Sequence, residues 1–326
     1  MPAGFGPIAG LKVGHAQDDA ALTGCTVLIA EGGMVAACDV RGGATGTREL
    51  GVLDPAHIAD RIHGLVFAGG SAFGLDAATG VVQWLEERGI GFDAGVARVP
   101  IVPAAILFDL ALGDAKRRPD AAMGYEAAEA AGTGPVAEGN VGAGTGASVG
   151  KIGGIKRAMK AGIGCWTEEC AGTGGATVRV AALAAVNAFG DVRDPQTGRL
   201  IAGARTAAGS RELLDTAAAL RRGLAPAGFG RPAVPQGNTV LVAVATDAAL
   251  TRVEAGRVAV MACAGMARVI SPAFTRFDGD IVFALSCGER RAPVDAIGVA
   301  AAEAVAAAIV RGVTQAASAG GVPGLG

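Results

Sequence analysis

Chemistry able to cut an amide bond is concentrated in one segment, Pro235-Gln-Gly-Asn-Thr-Val-Leu-Val-Ala-Val-Ala-Thr-Asp247. A Pro/Gly linker there delivers Asn238-Thr239 to the first position of a hydrophobic strand. If a chain is cut before a threonine, that residue gains an α-amino group with a pKa of roughly 7.7–8, close enough to neutral to act as base for its own hydroxyl. Nucleophile and base then share one residue. By itself, Asn-Thr ahead of a strand is also an ordinary turn signal. A second candidate is Asp278-Gly-Asp280. Carboxylates two apart on an extended segment share a face and can hold an ammonium or a hydroxyl proton through charge-assisted bonds, although the same triplet also suits a solvated turn before a strand.

Rival chemistries are poorly supplied. The three histidines, His15, His57 and His63, show no H-x-x-x-H or H-E-x-x-H spacing, so a zinc site or a Ser-His-Asp triad would need scattered residues. The glycine-dense stretch 139–151 invites a phosphate-loop reading, but Thr145 and Ile152 stand where the Walker spacing needs Gly and Ser/Thr. What survives is a loop of close backbone approach ending in Lys151. Residues 41–49, with Arg41 and Arg48, read as a tight connection with solvated charges. Residues 68–74 lead into a helix, and their N–H groups could serve an oxyanion or pack the helix on a strand. A net charge of −2, with no basic run longer than Lys116-Arg117-Arg118, leaves no footprint for nucleic acid. Six cysteines without a C-x-x-C read as buried free thiols.

Positioning these groups falls to glycine-bounded apolar runs at 25–30, 35–40, 64–68, 99–107, 178–186, 239–246 and 281–286, which read as strands, several buried on both faces. Helical patterns occupy 73–88, 210–222 with Ser210 as cap, 250–270 and 293–310. Strands mixed with helices on this scale indicate a layered α/β or α+β sandwich. With 53 glycines, many alanines and only 4% aromatics, the layers are expected to be thin and closely stacked. Residues 225–237 read as an irregular linker, and the tail 316–326 as frayed. Uncharged stretches fall short of a membrane span, and the start lacks the basic and apolar regions of a signal peptide, so the expected compartment is the cytoplasm.

The junction ahead of VLVAVATDA does not stand alone. With CDVRGGATGTRE (38–49), FAGGSAFGLDAATGV (67–81), VPIVPAAILFDL (99–110), NVGAGTGASVGK (140–151), VNAFGDVRDPQTG (186–198) and FDGDIVFALS (277–286), it resembles the P1 family of self-processing peptidases, peptidase S58. That group holds L-aminopeptidase/D-amino-acid esterases, β-aminopeptidases and 6-aminohexanoate-oligomer (nylon) hydrolases. The resemblance implies one peptidase domain over 1–326, cut between Asn238 and Thr239 into chains 1–238 and 239–326, with Thr239 as nucleophile. It implies further that Asp278 and Asp280 orient the nucleophile and its amine, that Asn187 helps hold the substrate carbonyl or oxyanion, and that Lys151 lies in the site. The implied fold is the four-layer α/β/β/α sandwich shared with ornithine acetyltransferases, with Thr239 starting a central strand.

No metal or organic cofactor is implied. The implied partners are a small peptide or amide substrate and further copies of the chain, as a tetramer of cleaved units, with neither nucleic acid nor membrane. The family often reads Asn-Thr-Thr, whereas Val240 follows Thr239 here, and no acidic counterpart of the nylon-specific pocket is present. Two rival readings remain: an acyltransferase on the same fold that passes the acyl group to an amine, and a non-catalytic binding relative.

Overall fold

The apolar runs become strands of two sheet regions joined through one long strand. The structure is a computed structural model describing residues 4–224 and 237–326. Its main strands are β1 (Lys12–Asp18), β2 (Thr23–Val40), β3 (Ile62–Ala68), β4 (Ala104–Ile106), β5 (Ile163–Ala171), β6 (Thr177–Asn187), β7 (Thr239–Ala248) and β8 (Ile281–Arg290). The main helices are α1 (Ala77–Glu86), α2 (Ala121–Glu129), α3 (Arg252–Val269) and α4 (Val294–Thr314). Strands run β5-β6-β7-β8-β2-β3-β4, with β1 also on β2. The first half of β2 pairs with β1 and β3 and the second half with β8. The switch falls at a register break between Ile29 and Met34, where Gly33 has φ +74°, a conformation that costs glycine little.

Alternation along the strands shows how the layers stack. On β6, Ala181, Leu183 and Ala185 share a core with Leu241 and Ala243 of β7, Phe283 of β8, and Leu65 and Phe67 of β3. Their neighbours Val180, Ala182, Ala184, Val242 and Val244 face α3 and α4 instead. The opposite faces of β2 and β3, through Val27, Ile29 and Val66, pack on α1 and α2. The order is therefore helices, sheet, sheet, helices, and Phe67 meets Phe283 across the inner interface at 5.8 Å between ring centroids.

Small residues set the spacing, as composition predicts. A Cβ added at Gly265 of α3 would lie 2.1 Å from the Ala302 carbonyl of α4, so this helix pair can approach only at glycine. The α3 N-terminus is fixed by a capping box between Thr251 and Glu254. Helix α4 is long and apolar enough to span a bilayer, but it packs against β5, β6 and α3 inside the core. All six cysteines are free, with Cys25, Cys165 and Cys263 buried.

Some elements differ from expectation. Runs 25–30 and 35–40 are one strand, because glycine bends the chain without ending its pairing. Residues 99–107 split around Pro100 and Pro103, whose nitrogens cannot donate to a ladder. The helix expected over 210–222 shortens to Thr216–Arg221, and its cap is Asp215 rather than Ser210. Strands β1 and β5 and helix α2 went unread, since their mixed polarity or short length hides the period. The linker expected at 225–237 falls, up to residue 236, outside the described residues.

Candidate active site

Thr239 opens β7 between two supporting strands. Toward β6 it registers opposite Asn187, and β7 runs parallel to β8 on its other side. Just before it, Asn238 forms a parallel bridge with Asp278. The Asn238 N–H donates to the Phe277 carbonyl (3.1 Å), and the Asn238 carbonyl accepts from the Gly279 N–H (2.5 Å). A Cβ built on Gly279 would stand 2.6 Å from Thr239 Oγ1, so glycine lets the segment 278–280 press against the hydroxyl. Asn238 and Thr239 are each 1% exposed.

The two aspartates flank that contact. Asp278 Oδ1 accepts from the Phe189 N–H (3.0 Å), while Oδ2 accepts from the Thr275 N–H (3.1 Å) and hydroxyl (2.5 Å). Asp280 Oδ1 accepts from the Val240 N–H (2.8 Å), the amide immediately after Thr239, and its Oδ2 accepts from the Phe274 N–H (3.2 Å). Both carboxyls are buried. Burial holds Asp278 above its usual range, and burial together with the neighbouring Asp278 charge raises Asp280 further.

On the opposite side, Lys151 Nζ donates to the Asn187 backbone carbonyl (2.9 Å) and to Asn187 Oδ1 (2.6 Å). Asn187 Oδ1 also accepts from the Ser148 N–H (3.1 Å), and its Nδ2 donates to the Phe108 carbonyl (3.1 Å). Burial pushes Lys151 down to about 7, against the pull of Asp278 and Asp109. Lys151 is thus an amine able to exchange a proton near neutrality.

Three glycine-rich segments brace these groups. Residues 41–44 do not form a mere solvated connection: the Arg41 and Gly42 N–H groups donate to the Asp280 carbonyl, and the Ala44 N–H to that of Asp278. A Cβ on Gly42 would fall 2.2 Å from the Asp278 carbonyl oxygen. The Arg41 side chain itself turns to Asp39. In the 139–151 loop, N–H groups go to internal acceptors including Gln17 Oε1, Thr26 Oγ1 and Asn187 Oδ1. At 69–71, the Gly69 and Ser71 N–H groups meet backbone carbonyls and that of Gly70 meets Asp109, which selects packing over an oxyanion role.

A cavity of about 20 Å³, bordered by Phe108, Asp109, Ser148, Lys151 and Gly237, is the opening beside Lys151. It has room for about one water. A larger cavity among the described residues, of about 550 Å³ and lined by Arg205, Leu213 and Pro323, contains none of the residues above. Among the described residues, no group of three or more His, Cys, Asp or Glu is placed to hold a metal ion.

All six residues singled out from sequence, Lys151, Asn187, Asn238, Thr239, Asp278 and Asp280, therefore meet around the start of β7. Sequence reasoning missed Gly279, Thr275 and Ser148. Only Gly279 had a usable signal, its place between two aspartates.

A family model described as Peptidase family S58 matches residues 7–325. The chain belongs to peptidase family S58. An uncharacterized aminopeptidase of Mycobacterium tuberculosis (strain H37Rv) is 42% identical, over 97% of this chain and 95% of the relative. A 6-aminohexanoate-oligomer endohydrolase of Kocuria sp. (strain KY2) is 31% identical, over 86% of this chain and 74% of its own. Among solved structures, a Burkholderia sp. β-aminopeptidase superposes with TM-score 0.71 at 26% identity, covering 100% of this chain and 92% of the other. The L-aminopeptidase D-Ala-esterase/amidase of Ochrobactrum anthropi, described as a variant among the Ntn hydrolase fold, gives TM-score 0.71 at 19% identity over 97% and 88%, a likeness of fold. The S58 chain is thus a hydrolase of peptide or amide bonds, built on the sandwich described above.

Proposed function

We propose that this S58 chain cuts itself between Asn238 and Thr239 and then hydrolyses amides through an ester on Thr239. One observation carries the reading: the Asn238 carbonyl, which the Thr239 hydroxyl would attack, accepts a 2.5 Å hydrogen bond from the Gly279 N–H. That donor polarises the carbonyl and stabilises negative charge on its oxygen as the tetrahedral intermediate forms. In the shift, Thr239 Oγ1 bonds to the Asn238 carbonyl carbon and the bond from that carbon to the Thr239 nitrogen breaks. The nitrogen takes a proton and becomes a free amine. Water then hydrolyses the ester, leaving a carboxylate on Asn238 and restoring the hydroxyl. Before the cut Thr239 has no free amine, so Lys151, brought near neutrality by burial, receives the hydroxyl proton.

After the cut, the new amine takes over as base. Asp278 and Asp280, whose backbone brackets the hydroxyl, orient and stabilise its charged form. Asn187 and Lys151 face the substrate carbonyl. Among the described residues the cavity beside Lys151 has room for about one water, and in this reading departure of the new end at Asn238 enlarges it. The names of the relatives, an aminopeptidase and a 6-aminohexanoate-oligomer endohydrolase, point to N-terminal residues of peptides or linear amide oligomers as substrates. In this reading the working unit is a pair of chains, 1–238 and 239–326, assembled into a homo-oligomer.

The test is a substrate panel of D-alaninamide, β-alanyl amides and 6-aminohexanoate dimer with wild type, Thr239→Ala and Thr239→Ser. Wild type should release amine from at least one, Thr239→Ser should retain measurable activity, and Thr239→Ala should retain none. Equal turnover by Thr239→Ala would refute the nucleophile.

A further inference from the structure

One buried ammonium takes no part in the chemistry above. Lys160 is 0% exposed and lies on the short strand Met159–Lys160, which pairs with Ser148–Val149 in the register Ser148↔Lys160. Its Nζ donates to the carbonyls of Gly144 (3.1 Å), Ala147 (2.9 Å) and Ala161 (2.6 Å). The Ala147 carbonyl belongs to the same planar peptide unit as the Ser148 N–H, which donates to Asn187 Oδ1. One rigid plane therefore connects Lys160 to the oxygen that Lys151 also binds.

We propose that Lys160 is a positioning residue for the Lys151–Asn187 pair, fixing Asn187 Oδ1 through the Ala147–Ser148 peptide and keeping the buried positive charge on itself so that Lys151 is the amine that releases its proton. For activity this rests on the self-cleaving reading above; for the protonation order it does not.

Hydrogen bonding decides the order. An ammonium has three N–H donors and a neutral amine only two. Lys160 matches three carbonyls with three donors, so losing its proton would remove one of these bonds, although the Gly144 and Ala147 carbonyls would keep the Ala147 and Ala161 N–H groups. Lys151 faces two acceptors, both from Asn187, which the neutral amine can satisfy. Around Lys151, Asp278, Asp109 and Asp280 favour its charge and Lys160 opposes it, while Lys160 has Asp109 as its charged neighbour. Asp109 is itself engaged by the Thr23 hydroxyl and the Gly70 N–H. Burial pushes both lysines down to about 7, and repulsion between them disfavours both charges at once, so the hydrogen bonds each ammonium makes select which keeps the proton.

The experiment follows the two Nζ groups by heteronuclear NMR titration of lysine-labelled Thr239→Ala protein, assigned with Lys151→Met and Lys160→Met. The Lys151 midpoint should lie below that of Lys160, and Lys160→Met should raise it by about one pH unit. The reverse order would overturn the proposal, and this reading holds even if Lys160→Met fails to fold. In the uncut precursor, where Lys151 is the base, Lys160→Met should move the acid limb of the self-cleavage rate profile to higher pH, while Lys160→Arg, which keeps the charge, should leave that limb in place. A Lys160→Met enzyme with lower stability and an unmoved limb would make Lys160 merely structural. Absence of any self-cleavage or hydrolysis in wild type would defeat the functional reading while the titration still judges Lys160.

Discussion

Gly279→Ala is the perturbation whose size the structure fixes best. The new methyl would sit 2.6 Å from Thr239 Oγ1 and 2.8 Å from the Ala44 carbonyl oxygen. Gly279 is not among the glycines with positive φ, so alanine strains no backbone angle and the effect comes from contact alone. The Ala44 carbonyl cannot yield easily, because the Ala44 N–H is tied to Asp278. Opening 2.6 Å to an ordinary 3.4 Å contact therefore displaces the hydroxyl by about 0.8 Å. A misplacement of that order costs about 10²-fold in rate, or roughly 2.7 kcal/mol of barrier, while overpacking costs about 1–3 kcal/mol of stability. The variant should fold, accumulate as the 31.9 kDa precursor and cut itself slowly on incubation, followed by intact mass. Gly51→Ala, where an added Cβ meets nothing within 4 Å, should be cut like wild type. A folded Gly279→Ala protein that cuts itself as fast as Gly51→Ala would refute the contact argument.

Further outcomes follow from the same geometry. Asp278→Asn turns an amide toward donors that now meet carboxylate oxygens, and should cost about 1–3 kcal/mol in denaturant unfolding as well as slowing the cut. Because burial lowers the folded pKa of Lys151 to about 7, the unfolded chain binds more protons above that pH. The contribution of Lys151 to stability should therefore rise as pH increases from about 7 toward 10, by at most about 1.4 kcal/mol per unit. The difference in unfolding free energy between Thr239→Ala and Thr239→Ala/Lys151→Met should show that slope; a flat difference would remove the depressed amine. Uncut Thr239→Ala should bind 6-aminohexanoate dimer weakly by calorimetry, since the cavity that the described residues leave beside Lys151 holds about one water.

Much of this site was legible before folding because its signals are local. Asn238-Thr239 ahead of an apolar run marks the start of a strand, and Asp278-Gly-Asp280 precedes another; parallel pairing of those strands brings the motifs together. The braces were hidden because their contacts are long-range. Nothing near Lys160 in sequence announces three carbonyls around its ammonium, two of them from a loop more than ten residues earlier. Arg41 looked like solvated charge, yet its backbone N–H holds Asp280 while its side chain plays no part there. The layers were readable from small-residue content, whereas the continuity of β2 through Gly33 depends on pairing with different partners on either side of the bend.

The most direct measurement is the intact mass of purified wild type beside Thr239→Ala, with the N-terminal residue of any smaller chain identified. Wild type should give chains of about 23 and about 9 kDa, the smaller beginning at Thr239, and Thr239→Ala should stay at 31.9 kDa. A wild-type protein that remains one 31.9 kDa species after long incubation, or a Thr239→Ala protein cut at the same bond, would contradict the account.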